Sequence, residues 1–159
     1  MKRLNLMMLL AIVFGAGLSV GAVGAVGAVG AYSQSMSHEG NVFKSPTSGT
    51  TIRMLLDETN LGGTEIEIGE ITFAPGTNSG SHPHGSTEIF YVLSGELEHI
   101  VNGESHLLKP GMLGFVRPPD QVNHKVSGDE PVKALVIWAP GGEAGRVLGS
   151  WTKLPDPSR

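Results

Sequence analysis

Short runs of alternating apolar and polar residues dominate the chain from position 52 onward. Because successive side chains of an extended strand point to opposite faces, each run predicts a strand with one buried face. Turn signals such as Ser94-Gly95 and Asn102-Gly103 separate the runs. The pattern predicts eight strands, at 52–56, 65–73, 88–93, 96–101, 105–108, 113–116, 122–127 and 132–138.

Eight short strands without a long helical period predict an all-β fold, an antiparallel barrel or sandwich in a single domain. The barrel is expected over residues 52–140. Residues 32–51 precede it as an N-terminal arm, rich in Gly, Ser, Thr and Pro in its second half. A C-terminal tail over 141–159 follows, and its stretch 143–148 is a candidate short helix.

Two segments predict which way histidines point. In the run 122–127, His124 shares its even-numbered face with two valines, so it is expected to point inward. Asn102-Gly103 is a strong hairpin signal, and counting back from it places His99 opposite His106. We interpret that histidine pair as an ordinary solvated pair near a hairpin tip.

The N-terminus has the pattern of an export signal. Lys2 and Arg3 form a basic start, residues 4–13 are strongly apolar, and residues 20–31 repeat Val-Gly-Ala four times. Each repeat ends in a small residue and resembles a signal-peptidase site. We therefore predict a signal peptide over residues 1–31 and a secreted or periplasmic protein, the alternative being an uncleaved membrane anchor.

Composition narrows the function classes. The chain has 159 residues, 11 Lys plus Arg and 15 Asp plus Glu, which gives a net charge of -4. An acidic chain without basic runs is a poor nucleic-acid binder, so no nucleic-acid partner is expected. There is no cysteine, which excludes disulfides, Cys-ligated metals and thiol nucleophiles. No stable membrane insertion is expected after signal cleavage.

Three histidines and a glutamate carry the chemistry. His82, His84 and Glu88 all have even numbers, so on an extended chain they project to one side. Inward-pointing His124 is the natural fourth member. A lone buried histidine is usually a satisfied core residue. Burying three imidazoles and a carboxylate together without a partner is costly, however, and such a set suits a divalent first-row metal.

At this point the sequence resembles a known family, the cupins. The family's first motif is G-x5-H-x-H-x3–4-E-x6-G, and it is met here by Gly76, His82, His84, Glu88 and Gly95 at every spacing. The second motif is matched in part, since the distance from its proline to its histidine is kept. The resemblance covers about residues 62–140.

The resemblance implies a jelly-roll β-barrel with a metal ion near its mouth. By it, one divalent transition metal ion per chain (Fe, Mn, Ni, Cu or Zn) is expected, with four ligands: His82, His84, Glu88 and His124. The stretch from Trp138 to Gly142 also resembles quercetinase-like cupins. As in those enzymes, Glu88 is expected to accept a proton in addition to binding the metal.

These expectations favour a metal-dependent oxidoreductase of the dioxygenase type that acts on a small oxygen-rich organic substrate. A non-catalytic small-molecule-binding cupin and a metal-dependent lyase or isomerase are the alternatives. Phe90 is a candidate substrate contact in an apolar interior shared with Val92, Phe115, Val122 and Val126. Arg117 and Gln121 are candidate contacts at the mouth. A homodimer, formed through the arm and an open sheet edge, is also a hypothesis.

Overall fold

The computed structural model of the protein describes residues 40–155. The predicted signal peptide, the first residues of the arm and the last four residues of the tail lie outside the described residues. None of the helices in the described range is long and apolar enough to cross a membrane.

The described residues form short strands and two short helices, as an all-β fold requires. The helices are α1 (Glu58–Leu61) and α2 (Glu143–Leu148). The strands are β1 (Val42–Lys44), β2 (Thr51–Leu56), β3 (Glu67–Phe73), β4 (His82–Pro83), β5 (Thr87–Ser94), β6 (Leu97–Val101), β7 (Glu104–Leu108), β8 (Leu113–Val116), β9 (Gln121–Lys125), β10 (Val132–Ala139) and β11 (Thr152–Lys153).

The strands make two antiparallel sheets. The larger has the order β11-β1-β2-β3-β10-β5-β8, and the smaller has the order β4-β9-β6-β7. Their inner faces share one apolar core, to which Phe90 and Val136 contribute from the larger sheet and Leu97 from the smaller. The two sheets are not joined into a closed barrel within residues 40–155, so the architecture is a jelly-roll sandwich that confirms the all-β prediction.

All eight predicted strands are present, and most bounds differ by one or two residues. The predicted helix is also confirmed, since α2 spans Glu143–Leu148. The sequence pattern does not predict strands β1, β4 and β11, which have two or three residues each, too few to show a period. It also misses helix α1, although Asp57 and Asn60 form a capping box around its start.

The described part of the predicted arm is integrated into the larger sheet. Strand β1 pairs with β2 of its own chain and with β11 of the tail. Phe43 of β1 packs against the core. The arm and the tail therefore close one edge of the sheet together, so a homodimer formed by arm exchange would have to break these pairs.

The prediction of an interior position is wrong for one of the five residues, Phe115. Phe90, Val92, Val122 and Val126 are buried, whereas Phe115 is 56% exposed. Phe115 is the Cα partner of Ile89 in the β5–β8 pair, on the outer face of the sheet. Its neighbours Gly114 and Val116 take the inward positions, because side chains alternate along a strand.

The glycines that bracket the first histidine motif serve turns. Gly76 and Gly95 have φ angles of 73° and 77°, in the left-handed region that other residues rarely adopt. A Cβ at position 95 would also lie 2.7 Å from the carbonyl oxygen of Pro131. Gly76 lies in the turn after β3, and Gly95 lies in the turn that follows β5, the strand that carries Glu88.

Candidate metal centre

The three histidines and the glutamate come from both sheets. His82 lies in β4 and His124 in β9 of the smaller sheet, and Glu88 lies in β5 of the larger one. His84 lies in the link between β4 and β5. Burial alternates through this link, so His84, Ser86 and Glu88 are buried while Gly85 is exposed. Despite bends at Gly85 and Ser86, the alternation predicted from their even spacing is therefore kept in the burial of these side chains.

These side chains are close to one another. Nε2 of His84 lies 3.0 Å from Oε2 of Glu88, and Nε2 of His124 lies 3.7 Å from the same oxygen. The His82 ring is 5.0 Å from the His84 ring and 5.9 Å from the His124 ring, between centroids. The structure therefore brings together all four residues that the sequence predicts as metal ligands.

Outer partners orient three of the four side chains. The Nδ1 atom of His82 donates to the carbonyl oxygen of Gly80 at 2.8 Å. The Nδ1 atom of His84 lies 2.8 Å from Oε1 of Glu143, and the indole of Trp138 donates to Oε1 of Glu88 at 2.9 Å. Each partner occupies the atom that faces outward and leaves the second polar atom of the side chain for the centre.

Several of those second atoms are unsatisfied. Among buried side-chain atoms of residues 40–155, those without a hydrogen-bond partner are His84 Nε2, Glu88 Oε2, His99 Nδ1 and His124 Nε2. Leaving a buried polar atom unpaired costs about 1–3 kcal/mol. The first, second and fourth of these atoms face one another, so a shared cation would satisfy all of them.

The four side chains taken together are not spaced like the ligands around a bound metal ion, although one pair is. Within residues 40–155, no group of three or more His, Cys, Asp or Glu side chains is arranged as it stands to hold a metal. Two ligands at about 2.1 Å from one ion lie about 3 Å apart at a right angle, which matches the His84–Glu88 separation of 3.0 Å. The donor chemistry and the unpaired buried atoms therefore fit a divalent cation, although the present side-chain positions do not preform its geometry.

Burial and neighbouring charges shift the histidine pKa values in opposite directions. Burial lowers the pKa of His124 well below 6.5, and the neighbouring histidines lower it further, so its ring is neutral at pH 7. Burial also lowers the pKa of His84, but the carboxylates of Glu88 and Glu143 outweigh it and raise the pKa above 6.5. A metal ion at this centre therefore has to compete with a proton for His84.

Aromatic rings hold His124 from the side of the core. Its ring centroid lies 4.6 Å from that of Phe90 and 5.6 Å from that of Phe73. The backbone nitrogen of His124 donates to Oγ of Ser79 at 2.9 Å. Ring packing on one side and this backbone contact fix the position of a side chain whose Nε2 has no partner.

A cavity of about 100 Å³ opens onto this centre. Its inner wall is apolar, with Phe73, Phe90 and Trp138. Ser48 and Thr50, from the loop between β1 and β2, contribute hydroxyls, and Val147 and Trp151 of the tail also line the cavity. The cavity is therefore built partly from the arm and the tail.

Only one of the three predicted substrate contacts lines this cavity. Phe90 does. Within the described chain, the lining does not include Arg117 or Gln121, whose side chains are exposed. Gln121 faces away from the interior because it alternates with buried Val122 in β9. Arg117 lines a different cavity, next to His106 and Phe115.

The register of the β6–β7 hairpin is confirmed, since His99 is the Cα partner of His106. The interpretation of a solvated pair is wrong for His99, which is 2% exposed. The His99 side chain faces the larger sheet, where it packs against Phe90 and lies beside Gly114, whereas His106 lies on edge strand β7 and is exposed. The His99 ring lies 5.2 Å from the His124 ring, and its Nε2 is 3.2 Å from the carbonyl oxygen of Phe115.

Sequence reasoning misses two contributors to the centre, Trp138 and Glu143. Trp138 is the Cα partner of Glu88 in the β5–β10 pair, a cross-strand relation that the sequence alone does not give. Glu143 begins α2 and is 4% exposed. The available signal for it is an acidic residue in a short helix next to a Gly-rich turn, which is also the pattern of an ordinary solvated helix start.

Comparisons with known proteins support the fold. The Cupin_2 family model, described as a cupin domain, matches residues 69–138. That range includes His82, His84, Glu88 and His124, and it ends before Glu143. A search of curated protein sequences finds no match.

Similar solved structures share the fold at low sequence identity. An RmlC-like cupin from Shewanella frigidimarina has 22% identity and a TM-score of 0.55, covering 64% of this chain and 85% of that one. A predicted oxalate decarboxylase from Thermotoga maritima has 22% identity and a TM-score of 0.57, covering 66% and 96%. KdgF from Halomonas sp. has 17% identity and a TM-score of 0.52, covering 62% and 86%. The two-sheet architecture and these similar structures show that the chain has a cupin-type fold, and its residues 69–138 match the Cupin_2 family model.

Proposed function

We propose that this protein is a metal-dependent oxidoreductase of the dioxygenase type that acts on a small oxygen-bearing organic substrate. One observation carries the proposal: the unpaired buried atoms of His84, Glu88 and His124 face one another beside an apolar cavity. Such a set of nitrogen and oxygen donors suits a divalent first-row metal ion.

The residues that would hold the ion are His82, His84, Glu88 and His124. When bound, a divalent ion in this environment supplies Lewis acidity and open positions for dioxygen, water or a substrate oxygen. The chain supplies orientation: Gly80, Glu143 and Trp138 hold the outward-facing atoms of three of the four side chains. Oriented ligands keep the geometry of a site from relaxing when substrate enters.

We assign proton transfer to Glu88. Its Oε1 is held by the indole of Trp138, and its Oε2 lies at the cavity without a hydrogen-bond partner. Oε2 is therefore the oxygen that would bind the ion, and its further lone pair would be able to take a proton from a substrate hydroxyl. Phe90 lines the same cavity and is the apolar contact for the substrate.

The cavity narrows the substrate class. Its volume is about 100 Å³, well below the ~300–1,000 Å³ of pockets for drug-sized ligands. None of the residues that line it in the described chain is Lys or Arg, so no side-chain cation is available to pair with a second anionic group. A neutral or singly charged substrate of catechol or keto-acid size fits this description better than a flavonol does.

Oxygen uptake tests the proposal. The full chain is loaded in separate samples with iron, manganese, nickel, copper or zinc and mixed with catechols, small keto-acids and a flavonol. We expect substrate-dependent oxygen consumption with at least one metal and a small substrate. His84→Ala should abolish it. His106→Ala, which removes an exposed histidine, is the matched control and should retain it.

Two outcomes would replace the proposal with an alternative. Loss of carbon dioxide or isomerisation without oxygen uptake would indicate a metal-dependent lyase or isomerase. A rise in melting temperature with ligand but no turnover would indicate a binding module.

A further inference from the structure

Glu143 is a buried carboxylate whose oxygens both accept hydrogen bonds. Oε1 lies 2.8 Å from Nδ1 of His84, and Oε2 accepts from the backbone nitrogen of Gly85 at 3.1 Å. Arg146, one turn later in α2, donates from Nε to Oε1 at 2.9 Å and forms an ion pair with the same oxygen through Nη2. Each carboxylate oxygen of Glu143 therefore contacts the link that carries His84, one at the His84 ring and one at the Gly85 backbone.

The contact with Glu143 favours one tautomer of the neutral His84 ring. An ionised carboxylate only accepts hydrogen bonds, so Nδ1 of His84 carries the hydrogen that points to Glu143. In the neutral ring the lone pair then lies on Nε2. That atom has no hydrogen-bond partner and lies 3.0 Å from Oε2 of Glu88, on the side of the candidate metal centre.

The absence of a side chain at Gly85 leaves room for the carboxylate of Glu143. A Cβ at Gly85 would lie 3.1 Å from Oε2 of Glu143, so a larger residue would crowd the contact. Arg146 also donates from Nη2 to the carbonyl oxygen of Pro83 at 3.1 Å. Helix α2 thus contacts the residues immediately before and after His84 as well as the imidazole itself.

We propose that Glu143 is a positioning residue of the metal centre, which holds His84 in the tautomer and orientation that present Nε2 to the ion. This inference rests on the metal site proposed above and extends it beyond the family match, since Glu143 lies after residue 138. The helix that the sequence places in a C-terminal tail is thereby part of the site.

Glu67 provides a matched control. It is also a buried carboxylate that holds α2, since its Oε2 accepts from the backbone nitrogen of Ala144 at 2.9 Å. Its contact is to the helix backbone and not to an imidazole. Glu67→Ala and Glu143→Ala therefore both loosen α2, but only Glu143→Ala removes the partner of His84.

Two readouts on the full chain test the inference. Nitrogen-15 NMR of the metal-free protein, at a pH where the His84 ring is neutral, reports which ring nitrogen carries the hydrogen. We expect hydrogen on Nδ1 in the parent protein and in Glu67→Ala, and a shift toward Nε2 in Glu143→Ala. Glu143→Gln keeps an acceptor oxygen and should retain the parent tautomer. Titration with cobalt(II) should show an affinity about 10- to 100-fold lower for Glu143→Ala than for Glu67→Ala.

The results separate this inference from the function on which it rests. An unchanged tautomer in Glu143→Ala, or equal cobalt affinities for Glu143→Ala and Glu67→Ala, would overturn the positioning role. A parent protein that binds no cobalt would overturn the metal site and, with it, the positioning of His84 for an ion. The NMR result would then still show whether Glu143 sets the tautomer.

Discussion

The indole nitrogen of Trp138 donates a 2.9 Å hydrogen bond to Oε1 of Glu88, and the two residues are Cα partners on neighbouring strands. Both side chains are buried. Because the indole N–H is only a donor, it fixes Glu88 as an acceptor at this oxygen. The other oxygen is thereby directed to His84 and His124, at 3.0 and 3.7 Å.

Replacing Trp138 with Phe should weaken metal binding while keeping the fold. Phe fills most of the volume but leaves Oε1 of Glu88 without its donor, and a hydrogen bond to a charged group is worth about 1.5–3 kcal/mol. We expect an affinity for cobalt(II) about tenfold lower or weaker, measured by calorimetry. Trp151→Phe makes the same chemical change elsewhere on the cavity wall and should bind as the parent does. Equal affinities for the two variants would contradict a role for the Trp138 indole.

Gly114 allows the two sheets to approach at His99. A Cβ at this position would lie 2.5 Å from Cδ1 of Leu108 and 3.1 Å from Cδ2 of His99. We therefore expect Gly114→Ala to lower the free energy of unfolding by about 1–3 kcal/mol in urea denaturation. Gly128→Ala is the control, because nothing lies within 4 Å of the position that its methyl group would take. It should stay within about 0.5 kcal/mol of the parent, and a similar loss in both variants would show that crowding at Gly114 is not the cause.

Acid should destabilise the metal-free protein. Burial lowers the pKa of His99 and of His124, so below pH 6.5 the unfolded chain binds protons that the folded chain does not. The pKa of His84 is raised, so its contribution has the opposite sign and is lost as pH rises. Two histidines, His99 and His124, destabilise the folded state as pH falls, and only His84 has the opposite effect. We therefore expect the free energy of unfolding to fall between pH 7 and pH 5.

The variant His99→Phe removes the contribution of one of these buried histidines to the pH dependence of stability. It should reduce the slope of unfolding free energy against pH by up to about 1.4 kcal/mol per pH unit. A slope that is the same in the parent protein and in His99→Phe would contradict a buried, neutral His99.

Export remains a prediction from the first 31 residues. Their basic start, apolar segment and Val-Gly-Ala repeats favour cleavage after one of the repeats. N-terminal sequencing of the protein from its native host should therefore begin at or before residue 32. Recovery of a chain that still starts at Met1 from the cytosol would contradict this prediction.

The sequence predicts the strands well because each has five or more alternating positions or a clear turn on either side. Strand β8 has only four residues, yet its bounds are the predicted ones, since Lys109-Pro110-Gly111 marks its start. The same alternation fails for Phe115, because the outer face of this sheet edge is apolar as well and an apolar residue there is not an interior one. An alternating sequence shows that a strand has two different faces, but it does not show which face is buried.

The four candidate ligands are predictable from the sequence. The short spacing between His82, His84 and Glu88 identifies three of them, and the alternation along its strand identifies His124. Their supporting contacts are not predictable in this way. Trp138 reaches Glu88 across 50 residues of sequence, and Glu143 reaches His84 across 59. Such contacts depend on strand order and on where the tail docks, which no local pattern records. His99 shows the same limit, because its burial follows from the packing of the larger sheet against its face of β6.

The central claim is that His82, His84, Glu88 and His124 together bind one divalent metal ion. Calorimetric titration of the full chain with cobalt(II), repeated for His84→Ala and His106→Ala, tests it most directly. We predict one ion per chain for the parent and for His106→Ala, with a sharp loss of affinity in His84→Ala. Cobalt binding that is as tight in His84→Ala as in the parent, or that is lost equally in His106→Ala, would contradict the claim.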